Sequence, residues 1–271
     1  MKLQARKHFI VTSDTDRTFL SGIGTRIAIK HNSSLTRNGK WKSTLALLDE
    51  GVVRDYCKMK GKKKLETPED AILCYCWGYY DTGRGSEKDI LKMKALFLEG
   101  FTRNDLDAAL QSIEEWLSPG ALEYAKKLDR QGFHHLIASN GWAPFVEGIK
   151  RFLHGHGIDV HVFGAVTPKF DKAGTFAGQT DKINKWDGIY RIYSQLGFAK
   201  NGNGIYVNAA AVDDSMANIS HLKEHGFSVA FNAAEKNKPR FEQEGVWVEK
   251  TGSLDSVADK IVEYARGTGA I

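Results

Sequence analysis

The sequence predicts an α/β fold: a Rossmann-like parallel sheet with helices on both faces, into which a mostly helical unit is inserted. Two observations carry this. Short apolar runs rich in β-branched residues alternate with stretches of helical spacing through most of the chain, and strands separated by helices pair in parallel. Residues 39–119 depart from that rhythm, because their apolar residues recur only at helical spacing: Leu45, Leu48 and Val52, then Ile90, Met93, Leu96 and Phe97.

Taken in order, the first predicted strand is 8–12 (HFIVT), which delivers Ser13 and Asp14 at its carboxyl end. Further strands are predicted at 135–139 (HLIAS), 159–163 (DVHVF), 204–208 (GIYVN), 227–232 (FSVAFN) and 246–249 (VWVE), with helices at 121–131, 142–155, 183–196, 216–225 and 254–265 between them. The Gly/Asn/Ser-rich stretch 21–38 and the breaker Ser118-Pro119-Gly120 bound the helical insert. The expected organisation is therefore a core from 1–20 and 130–271, with a cap from 21–129. In such sheets ligands bind at the carboxyl ends of the strands.

Composition excludes several classes. With 271 residues, 42% hydrophobic and 26% charged, the chain can bury a sizeable core and is neither disordered nor membrane-embedded in character. No run of about 18 apolar residues is present, and the N-terminus MKLQARKHFIVTSD passes directly from a basic stretch into a strand pattern, so a cytoplasmic location is expected. The net charge of +5 is scattered apart from Lys60, Lys62, Lys63 and Lys64. That pattern suits attraction of a small anionic substrate better than nucleic acid, and no nucleic-acid or membrane partner is expected. Cys57, Cys74 and Cys76 are odd in number and lack redox or zinc spacing, which predicts reduced, half-buried thiols. His154, His156 and His161 fall at a helix end and turn marked by Gly155 and Gly157 rather than in a zinc pattern. Tyr75, Trp77, Tyr79 and Tyr80 are read as helical core.

The chemistry lies in Asp14-Thr15-Asp16-Arg17-Thr18. Residues i and i+2 just beyond a strand project toward one crevice. One carboxylate there can attack phosphorus, while the second protonates the leaving oxygen and then activates water. Farther on, Ser139-Asn140-Gly141 follows the second strand and is predicted to open a helix, where a hydroxyl and free backbone N–H groups cradle phosphate. Lys182 and Lys185 precede a helical pattern continued by Ile189, Ile192 and Leu196, which favours Lys185 as the residue at the helix start. An acidic loop, Val212-Asp213-Asp214-Ser215-Met216-Ala217-Asn218, comes next.

These four segments resemble, in order, the four motifs of the haloacid dehalogenase superfamily. The helical insert between the first two, and the strand 228–233 (SVAFNA), resemble its phosphoserine-phosphatase-like branch. The resemblance implies a Mg2+-dependent phosphomonoester hydrolase acting on a small phosphorylated metabolite. It makes Asp14 the nucleophile, Asp16 the general acid/base, and Lys185 the residue that neutralises nucleophile and phosphate. Thr18, Ser139, Asn140 and Lys182 become substrate-binding residues. Asp14, Asp16, Asp214 and Asn218 become metal ligands, with Asp214 as the principal metal aspartate.

Three departures stand out. Asp213 replaces a glycine and Asn218 replaces an aspartate, so that weaker metal binding or compensation by Asp213 is expected, and residues 19–26 carry none of the acid that holds the substrate amine in serine-specific relatives. A nucleotidase or phosphotransferase of the same superfamily, or a phosphometabolite-binding protein without turnover, are the alternative readings.

Overall fold

The computed structural model describes residues 8–22, 24–37, 48–76, 78 and 97–271. The chain divides into two compact units, one of Met1–Ile23, Ser112–Thr167 and Asp181–Ile271, the other of Gly24–Gln111 and Pro168–Thr180.

The first unit carries a six-stranded sheet in the order β3-β2-β1-β6-β7-β8, parallel throughout. The strands are β1 (Ile10–Asp14), β2 (His134–Trp142), β3 (His161–Val166), β6 (Tyr206–Asp213), β7 (His225–Ala230) and β8 (Trp247–Val248). The parallel α/β core is as predicted. The chain moves outward from β1 through β2 to β3, and outward from β6 through β7 to β8, so the carboxyl ends of β1 and β6 form the switch point where such sheets bind ligands.

Alternation along β1 assigns the layers. Thr12 Oγ1 lies 2.7 Å from the Tyr193 hydroxyl, whereas Ser13 Oγ lies 2.8 Å from the Tyr124 hydroxyl and 3.0 Å from His135 Nε2. Successive residues thus face opposite layers. Tyr193 belongs to the helix Lys185–Gln195, which covers one face with Ile10, Leu136, Ala138, Trp186, Ile189 and Ala209 in a shared core. Gly188 is required there, since a Cβ at this position would fall 2.3 Å from the Phe163 ring. Tyr124 belongs to Ala121–Arg130, which packs beside the C-terminal helix Leu254–Gly267 on the opposite face.

Several expected boundaries move. β2 runs on through Trp142, and the helix after it is Ala143–Gly155, with a proline in its first turn. β6 extends past the expected Asn208 to Asp213; Ala209, Ala210 and Ala211 have low strand propensity, but pairing with β1 on one side and β7 on the other overrides it. The expected helix 216–225 shrinks to a 3-10 turn at Met216–Asn218 and one turn at Ile219–Leu222, because His225 already starts β7. The short helix Lys238–Gln243 was not anticipated.

The second unit contains the helices Gly24–Lys30, Ser33–Arg37, Glu50–Lys60, Pro68–Cys76 and Arg103–Gln111. Local chemistry sets their ends: Asp49 Oδ1 accepts from Val52 N at 2.9 Å, and Gly61 closes that helix at φ 64°. Buried Asn32 donates to Phe97 O and Glu99 O at 2.9 and 3.2 Å. The hairpin β4 (Pro168–Phe170) and β5 (Phe176–Gln179), which lies within the expected core span, joins this unit through Phe176 N to Phe101 O at 2.7 Å and a Thr102–Thr175 bridge. Cys57 and Cys74 are buried and free, deeper than the half-burial expected. Tyr75 is buried against Phe97. Leu45, Trp77, Tyr79, Tyr80, Ile90, Met93 and Leu96 lie outside the described residues.

Candidate active site

Asp14 is the last residue of β1, on the same face as Thr12. In the parallel register Thr12 stands opposite Ala211, and two residues farther along each strand bring Asp14 level with Asp213. The helix covering that face starts at Lys185. Asn184 fixes the start by accepting from Trp186 N at 2.8 Å and Asp187 N at 3.4 Å. Lys185 Nζ therefore meets both strand ends, at 2.7 Å from Asp14 Oδ1 and 2.9 Å from Asp213 Oδ2. All three are buried. Lys182 is exposed, in the loop before Asn184.

Asp213, read from the sequence as a replacement for a glycine that could compensate for the charge lost at Asn218, was not placed beside Lys185 by that reading; the run Ala209, Ala211, Asp213 shares one face of β6 and could have signalled it. Its carboxylate accepts from Ser215 N at 2.9 Å and from Asn218 Nδ2 at 3.0 and 2.9 Å. The Asn218 carbonyl accepts from Trp186 Nε1 at 3.1 Å. Asn218 was expected to offer that oxygen to a metal; here its amide instead clamps Asp213 to the helix.

Asp14, Asp213 and Asp214 bring carboxylate oxygens within 4.8 Å of one another, a grouping that among the described residues does not include Asp16. Asp16 is half-buried on the β2 side. A Cβ on Gly141 would come 3.4 Å from Asp16 Oδ2 and 3.1 Å from Ser139 Oγ, so glycine leaves room between them. Ser139 is buried and its hydroxyl accepts from Gly141 N at 2.8 Å.

The expectation that Asn140 and Gly141 open a helix is corrected. Both lie within β2, which pairs on to Val166 through Trp142 after an irregularity in register beyond Ser139, and the helix starts at Ala143 with Trp142 as its N-cap. Asn140 is exposed. Thr18 is fully buried, and its hydroxyl has no hydrogen-bond partner among the described residues.

The electrostatics are those of crowded acids. Burial raises Asp14 well above the ordinary carboxylate range; Lys185 opposes the rise, while Asp213, Asp214 and Asp16 add to it. Burial and then Asp213 push Asp214 up to about 7, with Arg17 pulling against them. Burial lowers Lys185, but its pairs with Asp14 and Asp213 outweigh this and hold it firmly protonated. Three carboxylates thus share one buried lysine and the half-exposed Arg17, whose Nε lies 3.4 Å from Asp214 Oδ2. An all-oxygen donor set short of positive charge fits a hard divalent cation.

The sequence matches no family model and no curated protein. Solved structures do match. The chain superposes on a substrate-bound phosphoserine phosphatase complex with a TM-score of 0.62 at 17% identity, over 96% of this chain and 99% of that one. A phosphoserine phosphatase bearing an analogue of the phospho-aspartyl intermediate gives 0.60 at 18% identity, over 95% and 99%. A HAD-family hydrolase of Salmonella enterica subsp. enterica serovar Typhi gives 0.61 at 16% identity, over 93% and 70%. The chain therefore has the fold of the haloacid dehalogenase hydrolases. Within that fold it is similar to phosphoserine phosphatases.

Proposed function

We propose that this protein is a divalent-metal-dependent phosphomonoester hydrolase, most consistent with Mg2+, acting on a small phosphorylated metabolite. The carrying observation is the arrangement of Asp14, which ends the central strand with Lys185 at 2.7 Å and shares a carboxylate cluster with Asp213 and Asp214. The likeness to a fold whose solved members include a phospho-aspartyl analogue supports the same reading.

In this reading an Asp14 carboxylate oxygen attacks phosphorus, the bond to the leaving oxygen breaks, and that oxygen takes the proton of the Asp16 carboxyl group. Water then attacks the phosphorus of the aspartyl phosphate and gives a proton to Asp16, releasing phosphate and restoring Asp14. Lys185 offsets charge on the nucleophile and on the phosphoryl oxygens, and its two ion pairs fix it there without a search of rotamers. Asp14, Asp213 and Asp214 would hold the cation, which when bound supplies charge that keeps Asp14 ionised and stabilises the transferring group.

Asp213 thus enters the metal set in place of Asn218. Ser139 and Thr18 remain the candidates for holding phosphate oxygens, and the unit of residues 24–111 and 168–180, in place of the expected 21–129, is the candidate substrate-selecting cap. The absence of an acid in 19–26 argues for a substrate without the phosphoserine amine. A screen of phosphorylated metabolites with Mg2+, read by phosphate release, tests the reading. Asp16→Asn should lose most turnover while still binding phosphate, and a silent screen in which Asp14→Asn and the unaltered chain behave alike would overturn it.

A further inference from the structure

Arg17 is built into the site in a way the reaction scheme does not use. It has φ 62°, in the left-handed region where a long side chain is disfavoured. Both of its backbone polar groups are tied: its N–H donates to Gly22 O at 3.1 Å, and its carbonyl accepts from Asn232 Nδ2 at 2.9 Å. Asn232, just beyond β7, has a left-handed φ of 52° as well. A conformation of this cost persists only where its surroundings hold it, and here two loops hold each other.

The outcome is that the Arg17 guanidinium sits against Asp214, with 37% of the Arg17 side chain exposed but only 14% of Asp214. The backbone is pinned while the head can reach solvent. It stands on the one carboxylate of the cluster that Lys185 does not touch.

We propose that Arg17 is a tethered counter-cation that competes with the divalent cation for Asp214: it covers that carboxylate until the ion arrives, and the ion displaces it toward solvent. The inference rests on the metal-dependent reading above. It explains why the site tolerates three close carboxylates with a single buried lysine. It also sets metal affinity by a group that is not a ligand. Because a cationic head on a partly exposed pair contributes modestly, the competition is worth about three- to tenfold in metal affinity.

The test is Mg2+ binding to the full chain by calorimetry, without substrate. Arg17→Gln should bind Mg2+ about three- to tenfold more tightly, whereas Arg17→Lys, which keeps a cation at the position, should stay within about twofold. The Arg17 Nε–H resonance, assigned by its loss in Arg17→Lys, should shift in the unaltered protein as Mg2+ saturates, with the same midpoint as the heat signal. Equal or weaker affinity in Arg17→Gln overturns the proposal while leaving the metal reading intact. So does an Arg17 resonance that ignores saturating Mg2+, even if affinity changes. Should Arg17→Gln not fold, the resonance alone decides. Mg2+ binding to neither protein removes both this inference and the reading beneath it.

Discussion

The helix Lys185–Gln195 holds two buried polar contacts to β1, and they are built on opposite principles. At its start Lys185 carries a full charge, paired with Asp14 and Asp213. Two turns later Tyr193 bridges Thr12 Oγ1 at 2.7 Å and His225 Nε2 at 3.0 Å, and His225 Nδ1 is satisfied by His221 O at 2.9 Å. Burial depresses His225 to about 4, so that network is neutral at ordinary pH. Both ends lock the same helix to the same strand, yet only the first leaves charge unbalanced. A neutral network gives position without a large desolvation penalty; a charged one holds groups ready to receive more charge. The difference separates what holds the fold from what performs chemistry.

The largest expected effect breaks the charged end. Asp14→Asn should keep the fold, seen as an unchanged far-ultraviolet spectrum, and lose about a thousandfold or more in turnover, because an amide is a poor nucleophile toward phosphorus. Activity near that of the unaltered chain would end the proposed role. Lys185→Ala should lower kcat/KM by about a hundredfold and, by leaving Asp14 and Asp213 unpaired, cost about 3 kcal/mol of stability in urea melts. Lys182→Ala, in the exposed loop, should stay within about twofold of normal on the activity scale. Comparable losses in the two variants would mean that the ion pairs at Lys185 are not what activity depends on.

The neutral end has its own signature. The folded-state value of His225 lies below its unfolded value, so its contribution to stability is present above about pH 6.5 and is lost as pH falls through about 4. Urea melts should show about 3 kcal/mol lost over that window from this group. In His225→Gln that acid-dependent part should be absent, while turnover at neutral pH changes little. A variant whose stability falls with acid as steeply as the unaltered chain would show that His225 is not the titrating group.

A smaller effect tests the Asn218 clamp. Asn218→Asp replaces two donated hydrogen bonds on Asp213 by a facing negative charge, which should cost about 1 to 3 kcal/mol in the presence of chelator. Added Mg2+ should restore part of the loss if the new acid gains a cation to face. Thermal melts with chelator and with Mg2+ check this, and a variant that is more stable than the original in chelator would contradict the clamp.

The α/β class, the strand-end position of Asp14 and Asp16, and the preference for Lys185 were legible in the sequence. Each depends on local pattern: an apolar run that ends in acids, and an amphipathic stretch that begins beside a lysine. The Ser139 region was legible only as a motif. Its expected helix start fails because the strand keeps a pairing partner in β3 beyond the point where its own residues argue for a turn. The partners of Asp213 and Asn218 were not legible for a related reason. Counting along the loop cannot show which acid is still on the strand, and the extension of β6 to Asp213 is decided by pairing with β1 and β7.

What the sequence determined by itself was therefore the periodicity, the order of elements and the residue types at each strand end, because these follow from side-chain spacing and local backbone preference. What only the tertiary structure decided was register and company: that Asp14 stands level with Asp213, that one lysine reaches both, that Asn218 turns its amide toward an acid, and that Arg17 closes on Asp214. Those facts depend on hydrogen bonds and charges between segments up to 215 positions apart in the chain, and no local pattern encodes a contact at that separation.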